Sequence, residues 1–294
     1  MRSLTTLSIL LLAGTVPASA WAKGPAIQYS EPMNLGDGQV QVFAMVAGDK
    51  PMHLGVVMDA DIFSNAPTEE SDGMWDVVDA EGNVVWHCCG HELDFDVPAN
   101  MQAASAFTHI VVNWNPVGHP PPTVYTVPHL DFHFYTMSRE DRYAITAPAA
   151  EDMCNDNIYG LPAPVPVDCD ELDLAMMPLP ADMMPPQHSN LGAVEPGMGN
   201  HLIDLSSPEF NGSPFTHTFI FGTWAGELTF WEPMITQEFL ESHPRVLVDI
   251  PIPAAAPEAG YYPTRYGIFY LPRKKGQYIV MLTDFVWLPQ SSGE

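Results

Sequence analysis

Between residues 40 and 145 apolar and polar side chains alternate in short runs, broken by turn signals at Gly36-Asp37-Gly38, Gly48-Asp49, Glu81-Gly82-Asn83 and Asn115-Pro116. A period of two is that of a strand with one buried face, and Gly, Asn, Asp and Pro mark where such strands end. A second block of the same kind runs from 201 to 287. Its clearest strands are expected at 215–221 and 227–231, around Gly222-Thr223-Trp224-Ala225-Gly226, and at 266–271 and 277–287, around Arg273-Lys274-Lys275-Gly276. Helical periodicity is nearly absent. One short helix is expected over 235–242, stopped by His243-Pro244.

Residues 148–197 are rich in Pro, Asp and Met, and proline cannot donate to a sheet ladder, so this stretch cannot form sheet interior. The pattern therefore predicts a mainly β chain, of sandwich or barrel type, with few short helices. Two antiparallel β units, 23–147 and 198–294, would be joined by a Pro-rich connector over 148–197. Methionine there is read as gap filling, with a soft-metal carrier as the sharper alternative.

The segment from Asn113 to Tyr135 carries the candidate chemistry. On a strand, His129, Asp131, His133 and Tyr135 project to one side, and Leu130, Phe132 and Phe134 to the other. The polar side is then either solvated or functional. His-x-Asp and Asp-x-His pairs bring two ligands to one cation with bonds of about 2 Å, whereas His129 and His133 lie about 13 Å apart along an extended strand. Each pair must be completed from elsewhere. His119 on the preceding Pro-rich turn and His201 in the second block are the candidates, with Asp204, Glu227 and Glu232 as further donors. The ligand set expected for a divalent metal such as zinc is thus drawn from His119, His129, Asp131, His133 and His201; a hydrogen-bonded His/Asp ladder is the structural alternative.

His87-Cys88-Cys89-Gly90-His91-Glu92, followed by Asp94 and Asp96, resembles a metal site by count but not by spacing, since adjacent cysteines rarely both face one ion. With four cysteines three pairings are possible, and loop closure favours Cys154 with Cys169. Cys88 and Cys89 would then be free, a vicinal pair or soft ligands. No nucleophile elbow, phosphate-binding glycine loop, dinucleotide fingerprint or zincin helix occurs, so no catalytic residue is named.

Charge and the first residues narrow the partners. Lys and Arg number 10 against 36 acids, a net charge of −26. Such a surface repels nucleic acid and suits cations or basic partners. Arg2, the apolar run 4–12 and the small residues of Ala18-Ser19-Ala20 or Ala20-Trp21-Ala22 have the order of a secretory signal peptide, assigned to 1–22. No later stretch approaches the length of a membrane span. A secreted or periplasmic location follows as the expectation.

Three blocks also resemble an exported bacterial family of unknown function, named after a protein under a sigma-E-type factor. They are the 113–135 segment, Pro196-Gly197-Met198-Gly199-Asn200-His201, and Phe215 to Gly222 leading into Phe230-Trp231-Glu232-Pro233-Met234-Ile235. This chain has Leu130 and Leu202 where an aromatic commonly follows the histidine. The resemblance implies an exported, β-rich fold and no particular activity. The leading expectation is an exported protein with a structural or binding role that holds a divalent metal at a His/Asp site. The alternatives are a metal-dependent hydrolase or lyase, and an acidic cell-surface component that assembles as a homo-oligomer.

Overall fold

The computed structural model describes residues 24–78, 81–146, 170–272 and 275–293. The signal-like segment, Cys154 and Cys169 lie outside them. Among the described residues the strands are β1 (Ala26–Tyr29), β2 (Met33–Leu35), β3 (Gly38–Ala47), β4 (Lys50–Asp59), β5 (Val77–Val78), β6 (Val84–Trp86), β7 (His91–Asp96), β8 (His109–Asn115) and β9 (His129–Tyr135). They continue as β10 (His188–Glu195), β11 (Gly199–Asp204), β12 (His217–Trp224), β13 (Glu227–Thr236), β14 (Arg245–Asp249), β15 (Gly260–Leu271) and β16 (Gln277–Leu288). Four short helices accompany them: α1 (Ala99–Gln102), α2 (Arg139–Tyr143), α3 (Asp170–Ala175) and α4 (Gln237–Glu241).

Two seven-stranded antiparallel sheets result, with no closed barrel among the described residues. One has the order β1-β3-β4-β16-β15-β14 with β2 beside β3; the other has the order β10-β11-β12-β13-β9-β8-β7. They form a sandwich around one apolar core. Val40, Val42, Val56, Ile268 and Val280 from the first sheet enclose it with Ile110, Val112, Phe132, Phe134, Phe221 and Trp231 from the second. In β3 the alternation is plain, with Val40, Val42, Ala44 and Val46 inward and their neighbours outward. Burying each of the larger side chains contributes roughly 1.5–3 kcal/mol against leaving it in water.

The sheets do not follow the two blocks of the sequence. β4 pairs with β16 at Val56 and Val280, and β9 pairs with β13 at Phe134 and Trp231, so each sheet takes strands from both sides of the connector. Alternation fixes which face of a strand is apolar but not which strand it bonds to. Within 148–197 the described residues hold α3 and, after Pro178, Pro180, Pro185 and Pro186, the strand β10, which lies at an edge of the second sheet.

Local signals are offset by a few residues. The hairpin between β12 and β13 turns at Ala225 and Gly226, both at positive φ, and pairs Trp224 with Glu227. The 235–242 helix is shorter than expected. β13 extends to Thr236, whose side chain accepts a bond from the backbone N–H of Phe239 and caps α4.

Candidate metal centre

Every residue of β8 and β9 is buried, so the second sheet is covered on both faces. Leu130, Phe132 and Phe134 enter the sandwich core. His129, Asp131 and His133 face away from it; Asp131 and His133 line a cavity of about 340 Å³ whose walls come from 86–89, the loop 119–125 and the edge strand β10, and the His129 ring packs beside it against His119 and Phe215. Antiparallel register assembles the cavity floor. β8 sets Asn115 opposite His129 and Asn113 opposite Asp131. On the other side the pairs Trp231/Phe134 and Met234/Asp131 carry Glu232 beside His133. Further along, β11 sets His201 against Gly222, which in turn faces Phe230. A Cβ at Gly222 would overlap the Phe230 ring, so only glycine leaves that ring its place between the strands.

The histidine and carboxylate donors carried on or beside β9 fall into two groups. Ligand atoms of His119, His129 and Asp131 lie within 4.8 Å of one another, as do those of His133, His201 and Glu232. In the first group, Asp131 Oδ2 is 3.2 Å from His119 Nε2, and Asp131 Oδ1 is 3.2 Å from His129 Nε2. Two ligands bound at about 2 Å with tetrahedral angles stand about 3.3 Å apart, so these separations suit a zinc-like ion. The ring orientations are fixed from behind. His129 Nδ1 lies 2.7 Å from the Val127 carbonyl and His119 Nδ1 2.7 Å from that of Pro120, while Asn115 Nδ2 donates to Asp131 Oδ2 at 2.8 Å. An imidazole that donates Nδ1–H to a carbonyl presents the Nε2 lone pair on its other side, the arrangement metal-binding histidines use. Nε2 of His129 and Oδ1 of Asp131, both buried, have no hydrogen-bond partner among the described residues. They face each other at 3.2 Å, and buried polar atoms without a well-formed hydrogen bond are costly unless something else satisfies them.

His119 arrives from a loop that folds back on itself. Its backbone N–H donates to the Tyr125 carbonyl at 3.1 Å. Gly118 stands just before it at φ +75°, where a Cβ would overlap that same carbonyl oxygen.

In the second group, His133 Nε2 is 3.3 Å from Glu232 Oε1, and His201 Nε2 is 3.8 Å from Glu232 Oε2. His201 Nδ1 rests 2.9 Å from the Ala193 carbonyl of β10. Of the three further acidic donors, only Glu232 reaches the cavity. Asp204 accepts from Ser206, and Glu227 sits exposed at the hairpin turn.

The two carboxylates are tuned in opposite directions. Burial would raise Asp131, but the neighbouring imidazoles of His129 and His119 outweigh it and hold the group well below the usual carboxylate range. Burial, together with the charge of Asp131, pushes Glu232 well above that range. His119 is opposed by burial yet ends raised, through the hydrogen bond and charge of Asp131. Burial drives His133 well below 6.5 and His201 down to about 4, so both stay neutral and able to ligate.

The His87–Glu92 cluster is dispersed. Cys88 and Cys89 are joined by a disulfide. His87 pairs with Asp76, His91 bonds to the Glu69 carbonyl, Glu92 pairs with Arg142, and Asp94 and Asp96 hold Arg139. Ligand atoms of Cys88, Cys89 and Glu195 do lie within 4.8 Å of one another, but the disulfide takes both sulfurs, and the remaining donors of the cluster are held by other partners. The disulfide lines the cavity, with Cys88 Sγ 3.3 Å from Oε2 of Glu195, a carboxyl that burial pushes up to about 7.

Asn115 and Glu195 are cavity residues that sequence reasoning does not single out. For Asn115 a signal existed, because His109, Asn113 and Asn115 share one face of β8 by period two. Together these features define a β-sandwich with a His/carboxylate cavity on the outer face of one sheet. Comparison with protein-family models finds no match to this chain, and neither does comparison with curated proteins or with solved structures.

Proposed function

We propose that this is an exported protein that holds a divalent cation at His119, His129 and Asp131 and presents it to a ligand in the adjoining cavity. The observation that carries the reading is the convergence of two buried atoms, His129 Nε2 and Asp131 Oδ1, which face each other at 3.2 Å without a well-formed hydrogen bond, with His119 Nε2, while backbone carbonyls take the opposite ring nitrogens. Zinc is the natural choice for two imidazoles and a carboxylate. Export is supported by the signal-like first residues, by the resemblance of the 113–135 segment to an exported family, and by the Cys88–Cys89 disulfide, a bond that persists in oxidising compartments.

A second reading, a metal-dependent hydrolase or lyase, is favoured by one feature. A tetrahedral ion held by three protein ligands would keep a fourth position, as in catalytic rather than closed structural sites, and with His119 and Asp131 lining the cavity, water bound there would be activated.

The test is metal content after chelation and equilibrium dialysis against zinc, measured by elemental analysis. His119→Asn, on a half-buried loop, should remove one equivalent. Leu130→Ala, on the opposite face of β9, should keep the metal while costing about 2–5 kcal/mol of stability. Wild-type protein that takes up no zinc, or a His119→Asn variant that binds as much as wild type, would overturn the proposal. Zinc-dependent hydrolysis of an activated ester by wild type, lost with His119→Asn, would support the hydrolase reading.

A further inference from the structure

We propose that His133, His201 and Glu232 hold a second divalent cation, so that the cavity carries two separate metal positions. The inference goes beyond the single-ion reading and uses none of its ligands. Its basis is a second convergence of unsatisfied donors. His133 is 1% exposed, and neither of its ring nitrogens has a hydrogen-bond partner among the described residues. Glu232, also 1% exposed, has an unpartnered Oε2. His201 completes the set with Nε2 at 3.8 Å from that oxygen, its Nδ1 taken by the Ala193 carbonyl.

Three elements deliver these side chains independently of the 119–125 loop: β9 supplies His133, β13 supplies Glu232, and β11 supplies His201. Two imidazoles and one carboxylate again select a zinc-class ion with N and O ligands. The arrangement also explains why two carboxylates share one cavity. Asp131 and Glu232 repel one another when both are ionised, and a cation at each removes that repulsion. The triads share no ligand, and the backbone positions of Asp131 and His133 are offset along β9 by one strand repeat, about 6.6 Å. Bridged metal pairs share a ligand, and these two sets have none in common. The two ions therefore act as separate sites, each with its own ligands, and removing one set leaves the other able to bind.

The alternative is a protonated Glu232 that donates to His133 and makes the group a structural hydrogen-bonded triad. Zinc stoichiometry separates the two. Chelated protein titrated with zinc in equilibrium dialysis should bind two equivalents, His201→Asn and Glu232→Gln one each, His119→Asn one, and His119→Asn/His201→Asn none. Glu232→Gln keeps a hydrogen-bonding side chain of the same shape, so circular dichroism should be unchanged. One equivalent in wild type that Glu232→Gln leaves intact would overturn this inference alone. Zinc absent from wild type would overturn both this inference and the single-ion reading.

Discussion

His109 shows what burial alone does to an imidazole. It is fully buried on β8, stacked on Tyr135 with ring centroids 4.5 Å apart, and its Nδ1 lies 2.9 Å from the Thr108 hydroxyl, which itself donates to the Met137 carbonyl. Burial lowers its pKa to about 3, with Asp94 opposing. The unfolded chain, with a value near 6.5, therefore binds the proton first. The stability His109 contributes is complete above pH 6.5 and is lost as pH falls toward 3, amounting to a few kcal/mol. His109→Phe keeps the stacked ring and removes the titration. Urea unfolding between pH 8 and pH 4 should show wild type losing ground to the variant as pH falls; a pH-independent difference would refute the assignment. The cavity histidines differ in kind. His119, raised by Asp131, sits where a proton and a cation compete, so zinc affinity should fall with pH.

At the scale of elements, β9 is a rigid platform and the 119–125 loop is the piece that must be placed on it. Hydrogen bonds to β8 and β13 hold β9 on both sides. His119 depends instead on the turn at Gly118, where positive φ and the Tyr125 carbonyl oxygen, standing where a Cβ would go, exclude any other residue without movement. Gly118→Ala should cost about 1–3 kcal/mol and weaken zinc binding at the first position by about tenfold or more. Gly48→Ala is the control, because φ is +66° there but nothing lies within 4 Å of the added carbon. Calorimetric zinc titration of the two variants checks this. Equal affinities would mean that the loop adapts and that Gly118 does not position His119.

Across the whole molecule, one buried ion pair ties the cavity to the far edge of its sheet. Arg142 of α2 is fully buried, donates to both oxygens of Glu92 on β7 at 2.9 and 2.5 Å, and gives Nε to the Gly197 carbonyl at 2.8 Å. Its guanidinium lies over the rings of Trp75, Tyr135 and Tyr143. The contact joins edge strand β7 to the β10–β11 turn that delivers His201. Glu92→Gln would leave a buried guanidinium without its carboxylate, and the expected loss is about 3–5 kcal/mol. Chemical denaturation measures it; a loss below about 1 kcal/mol would mean that Arg142 finds another partner. Among the described residues the fully buried acids are Asp131 and Glu232; the net charge of −26 attracts cations toward the molecule without choosing where one binds.

What the sequence determined by itself was local: period-two alternation gives strands, turn residues give their ends, and the opposition of His129, Asp131 and His133 to Leu130, Phe132 and Phe134 gives a polar face on β9. It also shows that His129 and His133 must find separate companions, because an extended strand sets them too far apart for one ion. It names His119 and His201 as candidates; only the tertiary structure decided which candidate stands beside which histidine. Glu232 stands far along the chain from His133, and alternation along its own strand does not choose it over Glu227 as a companion until the β13–β9 register sets it beside His133. The polar face proves buried rather than solvated for the same reason. Its cover comes from the edge strand β10, the 119–125 loop and the disulfide-bonded 86–89 segment, three pieces distant in sequence. Alternation records the environment on either side of one strand, while pairing and layering are contacts between strands, and those depend on the free energy of the assembled sandwich rather than on any one segment.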